Sequence, residues 1–114
     1  MAAVQSALPV ACGPAIPVTR GDLRWRLTVA EDGRLPMGGV FPSVIEWQVG
    51  PLPPTRMPDA GLDLLRLDLR HPDPVDLRHR LAGLIDDPRI DVDSGSEAGL
   101  AALISTPAGP KWLR

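Results

Sequence analysis

Proline interrupts this chain too often for long helices to form: fourteen of its 114 residues are proline and eleven more are glycine. Inside a helix, proline removes one hydrogen bond and clashes with the preceding turn. The chain must therefore be built from short elements joined by many turns, and a helical bundle is excluded. A length of 114 residues makes residues 1–114 a single domain with one core. Only 4% of the residues are aromatic within a 44% apolar composition, so that core must be mostly Leu, Val, Ile and Ala.

The periodicity between the breaks is mainly that of strands. In "LRWRLTV" (23–29), Leu23, Trp25, Leu27 and Val29 alternate with Arg24, Arg26 and Thr28, the mark of a half-buried strand. "VFPSVIEW" (40–47) alternates again and is expected to be a strand with Phe41, Ser43, Ile45 and Trp47 on one face. Glu46 then points the other way, with Val44. Pro42 cannot donate to a ladder, so that strand is expected to lie at an edge or to begin there. "VGPLPPTRMPDAG" holds four prolines and reads as an extended surface linker over 49–61. It separates a first unit, 1–48, from a second, 62–114.

The second unit opens with "LDLLRLDLR" (62–70), with Leu65, Leu67 and Leu69 expected inward and Arg66, Asp68 and Arg70 outward. "HPDPVDLRHRLAGLIDDP" is the clearest helix signal: Asp73 suits the N-cap and Pro74 the first helical position, while Asp76 favours the electropositive first turn. Leu77, Leu81, Leu84 and Ile85 make one stripe, and Pro88 prevents continuation. Short strands are expected over 89–93 and 100–106, with a last one after "PAG". A further short helix is expected over 2–8, ended by Pro9. The class is α+β: a helix packed on one face of a mostly antiparallel sheet.

Charge and composition narrow the function. A net charge of −2, with Lys111 the one lysine beside eleven arginines, is not the basic footprint of a nucleic-acid binder. One cysteine, Cys12, forbids an internal disulfide and fits a reducing compartment. "MAAVQSALPVACG" has no basic start and a broken apolar run, so it is not a lipoprotein signal, and no segment reaches the ~20 apolar residues that span a membrane. A cytoplasmic protein is expected.

Catalytic patterns are sparse. His71 and His79 form no H-x-x-x-H pair, so a metal would need Glu46 or an aspartate beside His71. The acidic run 86–97 is explained by the alternation of Ile90 and Val92 with Asp91 and Asp93, and it lacks a calcium-loop pattern. "GSEAG" is not a nucleophile elbow, Cys12 has no adjacent histidine, and no phosphate loop is present. What remains is an arginine array, Arg24 and Arg26 on one strand face and Arg66 and Arg70 on another. Such pairs can clamp an anion through bidentate contacts; the bland reading is a charge-mixed solvent face.

The order of "VTRGDLRWRLTV", "LPMGGVFPSVIEWQVGPLPPTRMP", "GLDLLRLDLRHPDPVDLRHRLAGL" and "GLAALISTPAGP" resembles the C-terminal half of bacterial glyoxalase-like domain proteins. These belong to the vicinal-oxygen-chelate superfamily, which also includes bleomycin-resistance-like proteins and dioxygenases. The resemblance implies βαβββ modules that pair to form a cupped sheet around the site. It also implies where metal ligands would lie, and those positions differ here: leucine stands near Leu64 where a histidine would be, and "LAALIST" carries no acidic residue. The stretches typical of the family's first half are missing, as in a shortened relative or a truncated reading frame.

The implied protein is a metal-free binder of a small, anionic molecule with no cofactor, completed as a homodimer. Glu46, Arg24, Arg26, Arg66, Arg70 and Trp47 would contribute. Glu46 would face the cup if the Trp47 face packs on the helix. Two alternatives stand beside it: a lyase or dioxygenase-type site shared across a homodimer through Glu46, His71 and a divalent metal, and a protein-interaction module without a pocket.

Overall fold

Ile16 and Val18 alternate toward the same side as Leu27 and Trp25, and the Gly21-Asp22 pair between them closes a two-residue hairpin. The computed structural model, which describes Leu8 and residues 12–114, pairs β1 (Ala15–Arg20) antiparallel with β2 (Leu23–Thr28) through that turn. Gly21 sits at φ +60°, where a side chain would be strained. β2 also pairs antiparallel with β3 (Ile45–Trp47), giving a three-stranded sheet in the order β1-β2-β3. The helix expected over 2–8 lies, apart from Leu8, outside the described residues.

The second sheet contains four strands in the order β5-β4-β6-β7: β4 (Asp63–His71), β5 (Ile90–Ser94), β6 (Gly99–Thr106) and β7 (Gly109–Leu113). A single helix, α1 (Pro74–Ala82), connects β4 to β5, which lie parallel, while β4-β6 and β6-β7 are antiparallel. The unit β4-α1-β5-β6-β7 is therefore a βαβββ arrangement, and the molecule is α+β with mostly antiparallel sheets.

α1 begins as its residues dictate. Asp73 accepts a hydrogen bond from the Asp76 amide at 3.2 Å, Pro74 occupies the first turn, and Asp76 pairs with Arg80 at 3.0 Å. It packs on β4 and β5, with Leu77 and Leu81 buried against Leu69 and Val92. The first half of the chain completes this cluster with Cys12, Val40 and Phe41.

Four expectations need correction. The run 40–47 is not one strand: Pro36–Gly39 forms a 3-10 turn, with Met37, Gly38 and Gly39 at positive φ, and only Ile45–Trp47 joins the ladder. Phe41 is thereby released from the sheet and sinks into the core. Leu65 is exposed rather than inward, because the β4-β6 register shifts between Leu64 and Arg66 and leaves it in a bulge. The helix ends at Ala82, before Leu84 and Ile85, and Ile85 is exposed. Within 49–61, Pro53–Arg56 coils into a 3-10 turn instead of staying extended.

Candidate functional site

The backbone pleat sorts the charged side chains onto two surfaces. In the first sheet, Arg26 stands directly opposite Glu46, and Arg24 lies two residues along the same face. Thr28 ends that row fully buried, its hydroxyl accepting from the Val44 amide at 2.9 Å. The opposite face carries the tryptophans: Trp25 pairs with Trp47, their ring centroids 5.2 Å apart and their planes tilted by 50°. Trp47 therefore does not line the surface that Arg24, Arg26 and Glu46 share. The helix meant to cover the Trp47 face packs on β4 and β5 instead.

In the second sheet, the face away from α1 carries Arg66, Asp68 and Arg70 on β4, beside Asp91 and Asp93 on β5. Arg66 is held between two carboxylates, Asp68 at 2.5 Å and Asp91 at 2.8 Å. The hydrogen bond that Arg66 donates to Asp68 raises its pKa further above the ordinary arginine value. It is a brace between two parallel strands. Arg70 stands opposite Asp93, and its stem lies over Gly95, where an added Cβ would come within 3.2 Å of the Arg70 Cβ. With Asp63 at the start of β4 on the same side, two arginines against four aspartates leave this face acidic by two charges; two arginines against Glu46 leave the first sheet's face basic by one.

The histidines are placed apart. His71, half-buried at the end of β4, accepts the Asp73 amide hydrogen on Nδ1 at 2.9 Å, and His79 is exposed in the last turn of α1. Leu64 sits near the start of β4, opposite Ile104. Glu46 and His71 belong to different sheets, and among the described residues no three His, Cys, Asp or Glu side chains gather into a metal-binding group. Cys12 is a core residue, 2% exposed, and burial pushes its thiol above the usual cysteine value, against a smaller opposing pull from Arg80. A shallow hollow of about 150 Å³ lies where the end of α1 meets β5, floored by Leu81, Ile90 and Val92. Among the described residues, no helix is long and apolar enough to cross a membrane.

One carboxylate is strongly perturbed. Hydrogen bonds from the Arg89 side chain and amide hold Asp87, just before β5, down to about 2. Because the folded value lies below the unfolded one, this pair contributes stability above about pH 4, and the contribution fades as pH falls toward 2. In Arg89→Ala, which removes the side-chain hydrogen bond and leaves the amide one, the Asp87 carboxyl should titrate higher, part of the way back toward the ordinary value of 3.8, and the acid-unfolding midpoint should move to higher pH. A carboxyl NMR titration of both proteins checks this; an Asp87 curve unmoved by the substitution refutes it.

The strand β1 was not anticipated. The signal was present: two alternating runs, 16–18 and 23–27, flank a Gly-Asp pair, the two-residue hairpin pattern. Pro14 and Pro17 masked it, yet Pro17 is tolerated because β1 is an edge strand.

The comparison with known families decides the lineage. The family model described as glyoxalase-like domain matches residues 2–85. The chain belongs to that family. The match to the glyoxalase-like domain covers β1 to β4 and α1 and stops before β5, whereas the sequence resemblance ran on to the "TPAG" turn between β6 and β7. No curated protein and no solved structure matches the chain.

Proposed function

We propose that this glyoxalase-like domain binds a small anionic molecule on the polar face of its first sheet, without a metal, and that a second copy completes the cup. Arg24 and Arg26 would supply the charge and Glu46 would orient the ligand. The observation that carries this reading is the division of charge between the two sheets. Arg66 is neutralised by Asp68 and Asp91, and Arg70 faces Asp93, so the excess positive charge belongs to the Arg24–Arg26 face. The separation of Glu46 and His71 onto different sheets supports a site that works through arginine hydrogen bonds.

The test is a melting curve with inorganic phosphate and a small dicarboxylate at constant ionic strength, with light scattering for the mass. Saturating ligand, about a hundredfold above Kd, should stabilise the fold by roughly 2.7 kcal/mol. That shift should vanish in Arg24→Gln/Arg26→Gln and persist in Arg66→Gln. A shift that survives the double substitution overturns the reading. Stabilisation by zinc, manganese or iron(II) that depends on Glu46 and His71 replaces it with the metal-dependent alternative.

A further inference from the structure

The two arginines on the polar face of the first sheet have different neighbours. Arg24 stands opposite Thr19 on β1, and on its other side the Gln48 amide, just beyond β3, donates to the Arg24 carbonyl at 2.9 Å. Arg26 stands between Pro17 and Glu46. Side chains directly opposite one another across a ladder point to the same side, so each set of three forms a row across the sheet. All three members of the Arg24 row are exposed, whereas Arg26 and Glu46 are half-buried and Thr28, the next position along β2, is closed off. Because Arg24 turns its carbonyl toward β3, it makes a non-hydrogen-bonded pair with Thr19, the kind in which side chains approach more closely.

Charge separates the rows as well. Glu46 stands opposite Arg26, while the Arg24 row contains no carboxylate. The acidic residue of the neighbouring hairpin turn, Asp22, is engaged by Arg56 at 3.2 Å, from the 3-10 turn Pro53–Arg56. Arg24 is therefore a cation flanked by two neutral groups that both donate hydrogen bonds, a hydroxyl and a primary amide.

We infer that the Thr19–Arg24–Gln48 row anchors the ligand and selects a tetrahedral oxyanion of the phosphate type over a planar carboxylate. The inference rests on the reading of this face as an anion site and adds which residues discriminate there. A guanidinium fork engages two oxygens of either kind of anion in its own plane. A carboxylate has no others. A phosphate group has further oxygens that project out of that plane. Thr19 and Gln48 flank Arg24 at one strand spacing on each side, about 4.5–5.5 Å, where a hydroxyl and an amide can donate to those oxygens. Arg24 is the anchor, and Thr19 and Gln48 are the discriminating residues. Arg26 adds charge without such flanking donors, since its neighbours are a proline and a carboxylate.

The experiment titrates the full chain with inorganic phosphate and, separately, with acetate, near neutral pH and at an ionic strength held constant with chloride. The shifts of the backbone amide signals of Thr19, Arg24 and Gln48 give each apparent Kd. Phosphate should bind roughly tenfold more tightly than acetate, about the factor that one further hydrogen bond to a charged group supplies. Thr19→Val and Gln48→Leu, both at exposed positions, should each reduce that preference, and the double variant should bring it close to one while melting within a few degrees of the wild type. Equal affinity of the wild type for the two anions overturns the inference. So does a preference for phosphate that survives the double variant; if both anions are then lost in Arg24→Gln, the anion site itself still stands. Binding of neither anion to the wild type, or binding that Arg24→Gln/Arg26→Gln leaves intact, overturns the inference together with the reading on which it rests.

Discussion

Leu77→Ala is expected to lower the unfolding free energy by about 2–5 kcal/mol, the range for leucine truncation in a packed interior. Among the described residues, Leu77 is the largest side chain wholly removed from solvent, at 0% exposure, and it joins α1 to Leu69, Val92 and Phe41 in one cluster. Few other side chains share the burial, so little is present to collapse into the cavity. A domain of this size has roughly 5–15 kcal/mol of stability in all, and the substitution removes a large fraction of it. Urea denaturation followed by circular dichroism measures the loss. Val75→Ala on the same helix, 70% exposed, is the control and should stay within about 0.5 kcal/mol. A loss below about 1 kcal/mol for Leu77→Ala would mean that α1 is not seated on β4 and β5 as described.

Gly13→Ala is expected to be of similar size for a different reason. Gly13 has φ +75°, and a Cβ there would lie 2.0 Å from the Val29 carbonyl oxygen, a backbone atom that cannot rotate away. The Val29 amide is itself bonded to the Pro14 carbonyl at 3.1 Å, so relief would require opening the end of the β1-β2 ladder. Left-handed strain of about 1–2 kcal/mol and overpacking of about 1–3 kcal/mol together give a loss of about 3 kcal/mol. Gly33→Ala separates the two contributions: φ is +73° there, with nothing within 4 Å of the new Cβ, so only the strain should appear. Equal losses at the two positions would show that the contact with Val29 is not made.

What was legible beforehand depended on periodicity within a single element. β2, β4, β5, β6 and the start of α1 lie where the alternation and the Asp73-Pro74 pair put them, because each pattern reports the dihedral angles of its own segment. The side of Glu46 was legible for the same reason: alternation alone separates it from Ile45 and Trp47. The run 40–47 failed because its alternating letters coexist with a Pro-Met-Gly-Gly turn. Three residues at positive φ there carry Phe41 away from the ladder and into the core. Burial of a large aromatic outweighs strand pairing for a segment that Pro42 already weakens.

The candidate site divides in the same way. The chain by itself determined that Arg24 shares a face with Arg26, and that Arg66 shares one with Asp68 and Arg70, since a strand's period of two requires it; that Glu46 stands opposite Arg26 was decided by the β2-β3 register. Only the tertiary structure decided that Arg66 is occupied: its second carboxylate, Asp91, lies 25 residues away and is brought alongside by the parallel β4-β5 pairing through α1. The same holds for the contact between Trp25 and Trp47 across two strands and for the bulge that exposes Leu65. Local alternation states which side chains point together. Which strand lies beside them, in what register, and whether a helix covers them follow from contacts between distant segments, and no single segment encodes those.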